Sequence, residues 1–355
     1  MIKNNKKQKI LVAMSGGVDS SVSAALLVNQ GYDVTGAYMV NYSQAEGQCW
    51  RADYQDALRV CAKLGISLLK LNFQKEYENL VLKKMFALYK QGLTPNPDIL
   101  CNKFIKFGSW LFQAKKLGFS YLATGHYAEI KQIGAKLQLA CAKDTAKDQT
   151  YFLHQLNQNQ LKRAIFPLGK YYKPQVRQLA LKFKLPTADK KESMGICFVG
   201  KVPMKKFLAT RLKQKKGPIY LSGSEELIGQ HDGLPFYTIG QRHIGAVHSK
   251  RPLYVLKKIK SANALVVGYE DDPAYYMTNF KVKNINWISG QKPDFPLQCL
   301  VRLRHQGLML KGEIDKNNKN NSGQVKLAQK TTIAPAGQFA VFYQSGVCLG
   351  GGEIA

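Results

Sequence analysis

Two groups of residues have types and spacing that could do chemistry. The first is the run Ser15-Gly16-Gly17-Val18-Asp19-Ser20, between the apolar stretch Lys9–Met14 and a segment with helical apolar spacing from Val22 to Gln30. Two glycines there let the backbone turn sharply and approach a ligand. Free N–H groups at the helix start, with the helix dipole behind them, make an anion site. The run is neither a Walker A loop nor G-x-G-x-x-G. A tight turn with Asp19 or Ser20 as N-cap would use the same residues. The glycines, flanking serines and Asp19 directly behind a buried strand favour the phosphate ligand.

The second group is a pair of cysteines. The chain has seven (Cys49, Cys61, Cys101, Cys141, Cys197, Cys299 and Cys348), an odd number with no C-x-x-C spacing. That is a poor disulfide framework and a poor zinc or iron–sulfur site, so free thiols in a reducing compartment are expected. Cys101 follows Pro95-Asn96-Pro97 and precedes a helix expected to start near Asn102. A helix N-terminus lowers a thiol pKa, and Asp98 lies close enough in sequence to carry a proton. Cys197 lies in the loop Met194-Gly-Ile-Cys-Phe198. Both could equally be small buried hydrophobes, the reading adopted for Cys61, Cys141, Cys299 and Cys348. Cys49 is left open.

These residues need elements to position them. Lys9–Met14 reads as a buried strand, Asp33–Val40 as a second and Ile66–Phe73 as a third, with helices over Val22–Gln30 and Arg51–Leu64 between them. Helices near Lys75–Lys90 and Asn102–Leu117 flank the Gly92–Cys101 loop, and Tyr121–Tyr127 is another strand. This alternation predicts an α/β, doubly wound parallel sheet. After about residue 200 short strands take over: Pro218–Leu221, Tyr237–Ile239, Leu253–Ile259 and Ala264–Val267. From Met277 the pattern is nearly all strand, with Val301–Arg304, Gly323–Leu327 and Phe339–Tyr343, and Asp315–Ser322 as a hairpin tip. The expected domains are 1–203 (α/β), 204–276 (small, mixed) and 277–355 (β-barrel).

The 355 residues carry 52 Lys+Arg against 23 Asp+Glu, a formal charge of +29 that points to a polyanionic partner. No apolar run is long enough for a membrane helix, and the basic start lacks the apolar part of a signal peptide, so a soluble, cytoplasmic protein is expected.

Ser15–Ser20 resembles the PP-loop of ATP pyrophosphatases, which release pyrophosphate while adenylating a substrate. Five further runs follow: Asn96-Pro-Asp-Ile-Leu-Cys-Asn-Lys103, Ala123-Thr-Gly-His-Tyr127, Lys147-Asp-Gln-Thr-Tyr-Phe-Leu153, Glu192-Ser-Met-Gly-Ile-Cys-Phe198 and Cys348-Leu-Gly-Gly-Gly352. In this order, over nearly the whole chain, they are similar to the tRNA-specific 2-thiouridylase (MnmA/TrmU) family. The resemblance implies an adenine nucleotide alpha hydrolase-like catalytic domain that adenylates oxygen 2 of a wobble uridine and replaces it with persulfide sulfur. It implies ATP contacts at Ala13, Met14, Ser15, Gly16, Gly17, Val18, Asp19, Ser20, Met39 and Gly125, with Mg2+ held mostly by phosphates and no metal site on the protein. Cys197 would carry the persulfide, Cys101 would be the partner thiol, and Asp98 the acid/base. Asn96, Pro97 and Asp98 would face the base. His126, Lys147, Asp148, Gln149, Arg302, Leu303 and Gln338 would touch the tRNA. Without the resemblance, Arg302 and Arg304 would be alternate residues on an exposed strand face.

The implied partners are tRNA, a persulfide donor such as a cysteine desulfurase or relay protein, and a reductant for a Cys101–Cys197 disulfide. The chain departs from the family pattern at Leu303 (usually Tyr), Phe104 (usually Glu) and Val40 (commonly Lys). Three rivals predict different things. A small-molecule PP-loop ligase needs no cysteine pair. A non-catalytic tRNA-binding protein would turn over no ATP. An iron–sulfur thiolase needs C-x-x-C spacing.

Overall fold

The computed structural model describes residues 8–41, 49–191, 203–245, 247, 249–317 and 321–355. The chain starts β1 (Lys9–Met14), α1 (Val18–Asn29), β2 (Asp33–Val40), α2 (Cys49–Leu64) and β3 (Leu68–Asn72). After a helical region come β4 (Tyr121–Ala123), the hairpin β5 (Glu129–Ile133) and β6 (Lys136–Ala140), β7 (Ala164–Ile165) and α3 (Lys173–Lys182). The sheet runs β3-β2-β1-β4-β7, and every pairing is parallel. This is the expected doubly wound sheet, with its order reversing at β1, the strand that feeds the glycine loop.

Side chains along β2 alternate between two cores. Ala37 and Met39 pack with Tyr77, Ile99 and Cys101, whereas Val34, Tyr38 and Val40 pack with residues of α1, α2 and α3. The near-continuous apolar character of β1 and β2 follows, because both faces are covered.

Two helix starts differ from the sequence expectation. α1 begins at Val18, not Val22, because its early serines bond back to the chain: Ser20 and Ser21 Oγ donate to Gly17 O at 3.0 and 2.8 Å, and Ser23 Oγ to Asp19 O at 2.8 Å. Nor is Asp19 or Ser20 the N-cap. Gly17 holds that place, with no capping side chain. The helix expected near Asn102 begins at Pro97. Asn96 Oδ1 accepts from Ile99 N at 3.3 Å and proline occupies the first turn, a start signal the apolar spacing alone does not reveal. Pro97–Leu100 continues into a π-helical stretch, Cys101–Trp110, and then Leu111–Lys116.

The following region pairs β8 (Gly217–Leu221), β9 (Leu227–His231), β10 (Tyr254–Ile259) and β11 (Ala264–Gly268) in the order β10-β11-β8-β9. Tyr237–Ile239, expected as a strand, follows a 3-10 turn instead, and Tyr237 fills that region's core. The last region contains β12 (Tyr276–Trp287), β13 (Leu297–Arg302), β14 (Leu310–Asn317), β15 (Ser322–Thr332), β16 (Phe339–Gln344) and β17 (Val347–Ile354). Their order is β12-β15-β14-β13-β16-β17, and β12–β17 pairing closes the barrel around Val282, Val301, Ile314, Val325 and Phe342. β13 ends at Arg302, so Arg304 is not its strand-face neighbour. Among the described residues no helix is long and apolar enough to cross a membrane.

Two features join the barrel to the segment between β4 and β7. β17 pairs at Val347 and Cys348 with Ala140 and Leu139 of β6. Beyond them, Cβ atoms on Gly350 and Gly351 would lie 1.9 Å from Asn286 O and 2.5 Å from Ala340 O, so the glycine run serves backbone packing. The second is an ion pair. Arg302 Nη1 lies 2.9 Å from Asp148 Oδ2, with the two side chains 9% and 1% exposed. Asp148 also accepts from Ala142 N at 3.0 Å and Thr150 Oγ1 at 2.7 Å. Removing one partner of a buried pair strands the other charge, so Arg302→Leu should cost roughly 3–5 kcal/mol. The double variant Asp148→Leu/Arg302→Leu should lose less, both read by urea unfolding.

Candidate active site

The glycine loop leaves β1 at its carboxyl end. Gly16 has φ +73, and a Cβ there would meet Asp53 O at 2.2 Å, so the first turn rests directly on α2. Ser20 Oγ accepts from Ser15 N at 3.1 Å, and Gly17 N donates to Ser15 Oγ at 3.3 Å. The loop is thus braced by its own serines, while no side chain caps the start of α1. That leaves backbone amides without a side-chain cap at a helix N-terminus, in the loop where an anion is expected.

Gly125, at the end of β4, closes against this cradle. Its added Cβ would lie 2.9 Å from Ser20 N and 3.0 Å from Asp19 C, so only glycine fits without moving the loop. Asp19 faces a cation: Lys173 Nζ, at the start of α3, donates to its Oδ1 and Oδ2 at 2.6 and 2.8 Å. Tyr127 Oη donates to Asp19 Oδ1 at 2.9 Å. Gln149 Oε1 accepts from Tyr127 N at 3.0 Å and Gln149 N donates to Tyr127 O at 2.9 Å. Met39 is buried in the β2 core near the sheet's carboxyl edge.

The turn before the catalytic-candidate helix is gripped from outside the sheet. Thr94 N donates to Ala336 O at 2.9 Å. Gln338 Nε2 donates to Thr94 O at 3.0 Å and to Pro95 O at 3.4 Å. Lys258 Nζ, from β10, donates to Gly92 O at 3.1 Å, and burial pushes its pKa down to about 8, helped by Lys260. The turn delivers Asn96 as a helix cap, Pro97 buried, and Asp98 half-buried in the first helical turn. Cys101 lies one turn further on, fully buried at the first residue of the π-helical stretch. The helix N-terminus therefore acts on Asp98 rather than on Cys101. Cys197 lies outside the described residues.

Cys61, Cys141, Cys299 and Cys348 are poorly suited to chemistry. Burial pushes Cys61 and Cys141 up to about 11 and Cys299 up to about 12, and it holds Cys348 well above its ordinary value. A thiol held in its protonated form is a weak nucleophile, and Cys141 is so held although only half-buried.

Residues 8–201 match the tRNA methyl transferase HUP domain, 205–269 its PRC-barrel domain, and 277–354 the aminomethyltransferase β-barrel domain. Among the relatives that bear the name tRNA-specific 2-thiouridylase MnmA are three from different organisms. The one from Halalkalibacterium halodurans is 42% identical over 99% of this chain and 96% of its own. The one from Alkaliphilus oremlandii is 42% identical, covering 100% and 99%, and that from Buchnera aphidicola is 43% identical, covering 100% and 98%. The chain belongs to the tRNA-specific 2-thiouridylase family.

Several family positions expected at the tRNA are engaged within the protein. Asp148 and Arg302 face each other, and Gln149 orients Tyr127. Gln338 holds the 94–95 turn. Leu303 packs on the barrel core, and its carbonyl accepts from Tyr151 Oη at 3.4 Å. Lys147 is half-buried. His126 is buried with its Nδ1 2.7 Å from Thr124 Oγ1, and it forms a three-ring cluster with Phe107 and Phe166. At the departure Phe104, Lys84 and Lys103 Nζ lie 5.6 and 5.4 Å from the ring centroid, so two cations gather on an aromatic face. Val40 lies in the core on the α1 face.

Sequence reasoning missed Lys173 and Lys258. Lys173-Pro174 is a readable helix start, but nothing in the sequence ties it to Asp19. Among the described residues, no group of three His, Cys, Asp or Glu side chains is placed to hold a metal ion.

Burial lowers His126 well below its ordinary value and pushes His154 down from 6.5 to about 4. Above pH 6.5 both states are neutral and these groups add nothing; as pH falls, the unfolded chain takes up protons first. Stability should therefore decline from about pH 6.5 towards pH 4, seen as a falling urea midpoint. His154→Gln should flatten that slope.

Proposed function

We propose that the protein is an ATP-dependent sulfurtransferase that converts the wobble uridine of tRNA to 2-thiouridine. The observation that carries this reading is the uncapped amide cradle of α1, with Gly125 pressed against it and Lys173 beside Asp19. It lies in a chain whose relatives, at 42–43% identity over nearly their whole length, carry the thiouridylase name.

The uncapped amides at the start of α1, from Val18 to Ser20, receive ATP phosphates, and Lys173 stabilises the charge that builds on pyrophosphate as it leaves. Mg2+, bound mainly by the phosphates, would neutralise more of that charge. Met39 and Gly125 supply strand-end backbone beside the nucleotide. Oxygen 2 of the uracil attacks the α-phosphorus, so the base oxygen leaves later as AMP instead of oxide.

Asn96, Pro97 and Asp98 bring the extruded base to this point, with Asp98 moving the proton. The terminal sulfur of a Cys197 persulfide attacks C2 and AMP departs. The Cys101 thiolate then attacks the Cys197 sulfur, the bond to the base-bound sulfur breaks, and 2-thiouridine leaves with a Cys101–Cys197 disulfide. A two-electron reductant restores both thiols, and an external donor reloads the persulfide. The excess of basic residues, +29 overall, suits a phosphate-rich substrate.

Thiolation of unmodified tRNA with ATP, Mg2+ and a persulfide source, read by nucleoside mass spectrometry, tests the reaction. Cys101→Ser and Cys197→Ser should each abolish 2-thiouridine while tRNA binding stays near the parent's. Normal product from either variant would sink the two-cysteine route. Lys173→Met should slow tRNA-dependent pyrophosphate release by about a hundredfold, the scale of one lost electrostatic contact to a developing charge.

A further inference from the structure

The site just described leaves one polar side chain unused. Asn41, the residue after β2, is 3% exposed, and neither its Oδ1 nor its Nδ2 has a hydrogen-bond partner. Several other buried side chains leave one polar atom unpaired; among the described residues, Asn41 alone leaves both ends of its amide so. Buried amides are normally satisfied, and each such exception needs a reason.

Position supplies one. Along β2, Ala37 and Met39 pack on the face that carries Ile99, Leu100 and Cys101. The period-two alternation of a strand places residue 41 on that face, at the sheet's carboxyl edge. The edge beside the reversal of strand order is where open α/β sheets take their ligands, and the glycine loop leaves the neighbouring strand β1 there.

We propose that Asn41 is a binding residue that reads the hydrogen-bonding edge of a nucleobase. The proposal rests on the nucleotide and tRNA reading given above. A side-chain amide offers N–H donors and a carbonyl acceptor side by side, matching the adjacent acceptor and donor on adenine or uracil. A phosphate has acceptors only and would leave Oδ1 unpaired. Two bases reach this site, the adenine of ATP and the target uracil, and they share this chemistry.

The test is Asn41→Leu in the full chain, with three readings: urea unfolding without ligand, affinity for a non-hydrolysable ATP analogue, and kcat/KM for unmodified tRNA in thiolation. Without ligand the variant should be as stable as the parent or more so, because an unpaired amide has been removed. Analogue affinity should fall about tenfold or more if the base is adenine. If it is uracil, analogue affinity stays parental and kcat/KM for tRNA falls by that factor. Parental values in both ligand measurements overturn the proposal, and so does a loss of ligand-free stability with parental binding, which marks a structural amide. Should the leucine variant not fold, Asn41→Asp keeps the shape but removes the donor, and the same readings decide. A parent protein that binds no ATP analogue would instead overturn the adenylation reading, whatever Asn41 does.

Discussion

The carbonyls of Gly92, Thr94 and Pro95 and the amide of Thr94 lie in a turn with no regular structure, and their partners come from elsewhere. Lys258 donates to the first carbonyl, Gln338 to the next two, and Ala336 O accepts from the amide. Backbone groups in a turn must be paired or hydrated, so a chain that buries such a turn has to bring partners to it. Both β-rich regions supply them. The direction in which Asn96, Pro97 and Asp98 leave the turn is therefore set by regions that take no part in the α/β sheet. A gap at Gly337 makes the approach possible: a Cβ there would lie 3.0 Å from Thr94 N.

The glycine loop follows the opposite logic. Its rigidity is local, from serines bonded to their own backbone, and its contacts to α2 and β4 are so close that Gly16 and Gly125 admit no side chain. What no side chain caps is the start of α1, whose amides a phosphate would use. The nearby charges are arranged as Asp19 with Lys173, and Asp53 and Asp56 with Lys190 at 2.7 and 2.6 Å, so the carboxylates around the loop are matched. An anion entering here meets amides and paired carboxylates, not bare negative charge.

How much of this was legible depended on the range of the forces involved. The strand at Lys9–Met14, the loop after it and the sheet alternation are written in local apolar pattern and glycine placement, and the structure has them at or near the expected residues. The PP-loop resemblance carried the nucleotide reading, and it rests on contiguous residues. The β5–β6 hairpin is not legible, because β6 is completed by β17, far later in the chain, and among the described residues β5 pairs with β6 alone. Tyr237–Ile239 looked like a strand because its residues are apolar and β-prone, yet they are apolar to fill a core. Pairings such as Asp148 with Arg302, or Gln338 with Thr94, join residues 154 and 244 apart, and no spacing rule reaches that far.

The same distances have a consequence for biosynthesis. β6 is made early, yet one of its edges waits for Val347 and Cys348, and Gln155 donates to Gly351 O across 196 residues of chain. Contacts of such long range form slowly, because a large loop must close before they repay it. A nascent chain emerging from the ribosome can assemble its parallel sheet but not seal that edge, so the final strand acts as a stopper. Translation errors that shorten the chain would leave an open strand edge and an unsupported turn. Such products are ready substrates for chaperones and proteases, and they would not compete for tRNA as half-working enzymes.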